Sequence, residues 1–218
     1  MIFITGLGRC GTSILTKYLN SVGFCIGFGQ EWYDDARAGY ELKVAVDINF
    51  SLWFHYCQKG KPINVDDNVC DRFGKIYNIT YRKAIQRVDE ESFIKVIKDP
   101  RLTWHPDIVE AWWSARQDLK FLICHRDIES VKKSREALPE KFADLKGRSL
   151  LEYKADFADF FTRVLKLKIP HETLFFPDFL RDFKSTYEVL EKVGLHFDYE
   201  SGKKVWDDLI DQTLLGKT

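Results

Sequence analysis

The run Ile2-Phe3-Ile4-Thr5-Gly6-Leu7-Gly8-Arg9-Cys10-Gly11-Thr12-Ser13 decides how the rest of the chain is read. Its first four residues are apolar or β-branched, as in a strand buried on both faces. After Ser13 the apolar residues Ile14, Leu15, Tyr18, Leu19 and Val22 recur at helical spacing, and Gly23 follows as a stop. The glycine-rich turn between them lets the backbone curl so that successive N–H groups converge, and the helix start adds partial positive charge. Strand, turn and helix in this order make an anion-binding loop, with a plain strand-to-helix joint as the bland alternative. A loop of this length for ATP or GTP reads GxxxxGK[ST], its lysine on the outer phosphates and its hydroxyl on magnesium. Here Thr12 stands at the lysine position and the cation comes earlier, at Arg9. Gly8, Arg9, Cys10, Gly11, Thr12 and Ser13 are therefore candidate ligands for an anion less charged than a metal-bound triphosphate.

Outward from that turn, short apolar runs at 24–26, 93–97, 121–124 and 173–176 alternate with helical patterns. The helical stretches are 40–57, 107–115, 128–138, 150–167 and 178–193, the last closed by Gly194. Such alternation is the signature of an α/β fold, here a P-loop-like three-layer α/β/α domain around a central, mainly parallel sheet. Residues 58–78 are polar and weakly patterned, which predicts a loop or lid. With no repeat and no Pro/Gly/Ser-rich linker, the 218 residues are expected to form a single domain over 1–218.

Composition narrows the function. Lys plus Arg and Asp plus Glu are 33 each, so the net charge is zero, and a nucleic-acid or membrane-surface partner is not expected. Any anionic ligand must be held by a local arrangement. No stretch approaches the ~18 apolar residues of a membrane span, and Met1 runs straight into the first strand without a basic leader. Cys10, Cys25, Cys57, Cys70 and Cys124 are odd in number and lack a CxxC pair, so small buried hydrophobe is the expected role for each. A cytoplasmic protein without a metal site is the resulting expectation.

Two further turns carry charge at the end of a strand. Residues 121–124 lead into His125 and Arg126, and Ser134 lies two turns into the following helix. An arginine and a serine so placed can converge on one phosphate, the arginine giving paired donors; the alternative is a solvated helix face shared with Lys132, Lys133 and Arg135. Residues 93–97 lead into Lys98-Asp99-Pro100-Arg101, where the proline stops the strand and aims the charges at the carboxyl end of the sheet. Asp99 could also be the magnesium-holding carboxylate of an ATPase, or simply the ion partner of Arg101.

Gly-Leu-Gly-Arg-Cys-Gly-Thr-Ser resembles the 5′-phosphosulfate loop, GxxRSGTS, of sulfotransferases that use 3′-phosphoadenosine 5′-phosphosulfate (PAPS), with Cys10 in place of the usual serine. Arg126, Asp127, Val131 and Ser134 fit the 3′-phosphate pattern Arg-Asp-x-x-x-Val-x-x-Ser, and residues 98–101 are similar to the KDPR turn of bacterial members. The resemblance implies transfer of a sulfonate from PAPS to a hydroxyl or amine of a small-molecule or carbohydrate acceptor, with no metal required. It implies Arg9 and the loop on the 5′ side, Arg126 and Ser134 on the 3′-phosphate, Lys98 on the developing charge, and Arg101 and Asp99 near the substrate. The general base comes from 27–41: Glu41 is the first candidate, echoing a Gly-Tyr/Phe-x-Glu segment with Asn49 downstream, and Glu31 the second. His55, His105 and His125 rank lower. Trp32, Tyr33, Tyr40, Trp53, Phe54 and Tyr56 would line an acceptor pocket or the core. The family's C-terminal Arg-Lys-Gly loop is not evident; Lys203, Lys204 or Arg181 would have to replace it. The alternative is an ATP-dependent small-molecule kinase with a degenerate loop.

Overall fold

The computed structural model describes residues 1–26, 42–71, 73–88, 95–137 and 149–210. Its centre is a four-stranded, all-parallel sheet of β1 (Ile2–Thr5), β4 (Val96–Lys98), β5 (Lys120–His125) and β6 (His171–Phe175), in the order β4-β1-β5-β6. Register is explicit: Ile4 lies beside Lys98 on one side and Leu122 on the other. The chain steps from β1 to β4 on one flank, then crosses back over β1 to β5 and on to β6. That reversal opens a crevice at the carboxyl ends of β1 and β5, where open α/β sheets bind their ligands.

Side-chain alternation builds a core on each face. Ile2, Ile4, Val96, Leu122 and Cys124 point into one apolar cluster, with Leu15 and Leu19 of α1 (Thr12–Ser21), Leu190 of α8 (Phe183–Val193) and Trp206 of α9 (Tyr199–Leu209). Phe3, Ile97, Phe121 and Ile123 point into the other, with Leu52 of α2 (Lys43–His55), Trp112 of α4 (Pro106–Ala115) and Phe160 of α6 (Leu150–Lys166). The α/β/α layering expected from the alternation is the observed one.

Four local expectations are corrected. Residues 24–26 are not a strand; the Cys25 carbonyl only accepts the amides of Lys95 and Val96, beside the start of β4. The stretch 58–78 is not a featureless lid, because it holds the antiparallel hairpin β2 (Asn68–Cys70) and β3 (Ile76–Thr80), followed by α3 (Tyr81–Gln86). The helix read over 178–193 is two, α7 (Asp178–Arg181) and α8, because the Asp182 carboxylate caps a new start by accepting from the Ser185 amide at 3.1 Å. Finally, α9 lies beyond the last helical pattern read. Among the described residues no helix is long and apolar enough to cross a membrane.

Candidate functional site

The loop after β1 is curled as its sequence requires. Gly8, Arg9 and Gly11 all have positive φ, at 75°, 59° and 78°. Gly6 lies so close to β5 that a Cβ there would sit 2.3 Å from the Cys124 carbonyl oxygen. Gly11 is the N-cap of α1, where no side chain caps the helix and no acidic residue occupies the first turn. The amides of that turn, and the helix dipole behind them, have no capping carboxylate of their own. By contrast α5 (Ile128–Glu136) is capped by Asp127, which accepts from the Ser130 amide at 2.8 Å. At the second turn the candidate anion ligands are therefore side chains rather than a free helix start.

Those side chains meet the first loop directly. Arg9 Nε donates to Ser134 Oγ at 3.0 Å, and Arg126 Nη1 donates to the Arg9 carbonyl at 3.1 Å. Residues read as belonging to two phosphate sites, 125 positions apart in the case of Arg9 and Ser134, form one contiguous polar cluster. A third cation belongs to it. Arg135 is only 7% exposed, donates to the Leu7 carbonyl of the loop and lies over the Tyr153 ring at 4.5 Å. This corrects its reading as part of a solvated face. Cys10 turns inward: its thiol donates to the Gly8 carbonyl at 3.3 Å, and burial pushes its pKa up to about 12. With the thiol so engaged, only its backbone remains a candidate contact. Thr12 is buried, while Ser13 Oγ accepts from Lys98 Nζ at 3.0 Å. Lys98 is itself buried at 3% exposure, so the end of β4 places a cation against the start of α1.

The turn after Lys98 is braced. Asp99 is fully buried; Oδ1 accepts from the Arg101 amide at 2.9 Å and Oδ2 from Asn49 Nδ2 at 2.8 Å, while Trp112 Nε1 donates to Asn49 Oδ1 at 2.5 Å. Arg101 Nε also sits 2.9 Å from Asp99 Oδ1, an ion contact whose N–H is not aimed at the oxygen. With both oxygens held, Asp99 is built as an anchor joining β4 to α2 rather than as a metal-holding carboxylate, which weakens the kinase alternative.

Beside the loop opens a cleft of about 540 Å³ whose lining includes Leu7, His125, Arg126, Phe157, Phe175 and Phe176. The Arg126 guanidinium lies over the Phe176 ring at 4.8 Å, and His125 stacks on Phe175 at 5.0 Å. The sequence does not announce this cleft, since its walls come from four separate segments. Among the described residues the buried His125 Nε2 has no hydrogen-bond partner, and burial, then the neighbouring His171, lowers its pKa below the ordinary 6.5.

The remaining candidates fall into two groups. Glu31 and Glu41, with Trp32, Tyr33 and Tyr40, fall outside the described residues. His55 Nε2 is 2.7 Å from the Asp71 carbonyl, and His105 caps α4. Tyr56 donates to Asp67 at 2.7 Å. Lys203 pairs with Asp207 on α9 and Arg181 with Asp178 on α7, both on exposed surface.

No protein-family model matches the chain, and no curated protein matches it by sequence. Among solved structures, one described as "Sulfotransferase Domain from the Curacin Biosynthetic Pathway" is similar over 91% of this chain and 75% of that chain, with a TM-score of 0.55 and 11% identity. At that identity the likeness is one of architecture: the chain has a sulfotransferase-like α/β/α fold.

Proposed function

We propose that this chain is a sulfotransferase that moves a sulfonate from PAPS to a hydroxyl or amine of a small-molecule or carbohydrate acceptor. The observation that carries this reading is the lysine-free loop of Gly6 to Ser13, joined by Arg9, Arg126 and Ser134 into one anion-binding cluster beside an aromatic cleft.

The donor set suits a nucleotide phosphorylated at both 3′ and 5′ positions. Uncapped amides at the start of α1 and the Arg9 guanidinium provide for one phosphate, and Arg126 with Ser134 for a second. The Arg9–Ser134 hydrogen bond is the contact that such a ligand replaces with its own oxygens. The cleft lined by Phe157, Phe175 and Phe176 offers ring faces to a flat base. PAPS, when bound, supplies a sulfonate on a good phosphate leaving group.

The chain's own residues then have distinct tasks. Arg9, Arg126 and the loop amides neutralise the phosphates. Lys98, fixed on Ser13, offers a buried cation where negative charge grows, and a positioned cation in a dry site needs no reorganisation when charge develops. Arg101 is held at the acceptor side by Asp99. Glu41, then Glu31, is the carboxylate that takes the acceptor's proton.

The test is transfer of labelled sulfonate from PAPS to a panel of acceptors. Wild-type chain should transfer without added magnesium, while Arg126→Ala and Lys98→Met should each lower transfer at least tenfold. Magnesium-dependent phosphoryl transfer from ATP, with no sulfonate transfer, would overturn the reading.

A further inference from the structure

Beside the turn after β4 lies aromatic surface that the cores use only in part, through Trp53. Phe50, Trp53 and Phe54 follow helical spacing on α2 and form one face. Trp104, at the end of the 3₁₀ turn Pro100–Trp104, meets Trp53 at 5.2 Å and 65°. Phe50 meets Trp53 at 5.9 Å and 60°, and lies stacked with Phe54 at 6.5 Å. Phe50, Phe54 and Trp104 are half-buried and belong to neither apolar cluster among the described residues. The ledge is bolted to the reacting end of the fold. Asn49, one residue before Phe50, holds Asp99 at 2.8 Å, and Arg101 lies over Trp104 at 5.9 Å.

Position and chemistry both point to the acceptor. Cleft, loop and ledge are reached in order across the sheet: β5 and β6, then β1, then β4 with its turn. An in-line displacement needs the acceptor apart from the leaving phosphate, and the ledge adjoins the turn after β4 through Asn49–Asp99 and Arg101–Trp104. Rings meeting at 60° and 65° make a corner that takes one flat aryl ring edge-to-face and face-to-face at once. A sugar's C–H face calls for a single open ring instead. Cations stand at both ends: Arg101 at Trp104, and the exposed Lys59 over Phe54 at 5.8 Å.

On this basis, and resting on the sulfotransferase reading above, we propose that the ledge of Phe50, Trp53, Phe54 and Trp104 is the acceptor site and selects an anionic aryl alcohol. Lys59 meets the acceptor's negative substituent, and the aryl hydroxyl is directed toward the Lys98 end of β4.

Calorimetry on the full chain tests it, with 6-hydroxy-2-naphthoate as probe and methyl β-glucoside and cyclohexanol as comparisons, with and without 3′,5′-adenosine bisphosphate. The naphthoate should bind at least tenfold tighter than either comparison. Trp104→Ala should weaken it about tenfold and Lys59→Ala about threefold, with bisphosphate affinity held within twofold. Should Trp104→Ala fail to fold, Phe54→Leu decides, with a loss of about threefold expected. Naphthoate affinity unchanged in the folded variants, or tighter binding of the glucoside, overturns the proposal. Trp104-dependent naphthoate binding without any bisphosphate binding would support the ledge and sink the donor assignment; the reverse pattern would sink the ledge alone.

Discussion

Gly11 combines a φ of 78° with a site where a Cβ would come within 2.4 Å of Phe176 and 2.8 Å of Phe179. Gly11→Ala should therefore cost about 2–4 kcal/mol, the sum of a left-handed backbone penalty and overpacking, read as a lower denaturant midpoint. His125 makes a pH prediction. Its pKa in the folded chain lies below 6.5, so the folded state resists the proton that the unfolded state takes up. Its contribution to stability is fully present above pH 6.5 and is lost as pH falls from there through the lowered folded value. His125→Phe should flatten that part of a stability-against-pH curve; an unchanged slope would contradict the assignment. Cys10 was legible as a small buried residue, and its raised pKa predicts that thiol reagents at pH 8 leave it unmodified in the native chain.

At the scale of elements, α5 is the piece that ties the site together. It presents Ser134 to Arg9, sends Arg135 to the Leu7 carbonyl, and satisfies its own start with Asp127. Arg135→Met should leave that loop carbonyl without its donor and weaken bisphosphate binding about tenfold, with Arg135→Lys recovering part of the loss. Nothing local announces this role. Arg135 sits in a polar run, and it is buried only because Leu7 and Tyr153, distant in sequence or on another helix, receive its guanidinium. The same reason hid one half of the Asn49–Asp99–Arg101 brace: the helix carrying Asn49 and the Asp99–Arg101 pair were legible, but not the packing that brings Asn49 onto Asp99. Strands β1, β5 and β6 were legible because each holds a short, largely apolar run that stops at a glycine, a charged residue or a proline. The β2–β3 hairpin was not, since Phe73, Ile76 and Tyr77 face outward and break the expected alternation. The break at Asp182 shows how a single capping carboxylate overrides a helical apolar pattern. Disconnecting the brace with Asn49→Leu should cost about 2–4 kcal/mol, because it strands one oxygen of a buried carboxylate and the Trp112 N–H.

For the whole molecule, zero net charge and a concentrated cationic cluster belong together. Arg9, Arg126 and Arg135 converge on one loop in a chain of zero net charge, so the proposed anion site is a property of the fold rather than of composition. The sheet order sets the geometry, with an aromatic cleft off β5 and β6, the loop off β1, and the braced turn and ledge off β4. That layout suits a bisphosphorylated nucleotide and a separate acceptor, and it gives a metal-bound triphosphate neither a loop lysine nor an open carboxylate at Asp99. The most direct test is calorimetric binding of 3′,5′-adenosine bisphosphate, with and without magnesium, beside ATP with magnesium. The account predicts micromolar bisphosphate binding indifferent to magnesium, weak ATP binding, and at least a tenfold loss in both Arg9→Ala and Arg126→Ala. Preference for ATP with magnesium, or bisphosphate affinity unchanged in the two arginine variants, would contradict it.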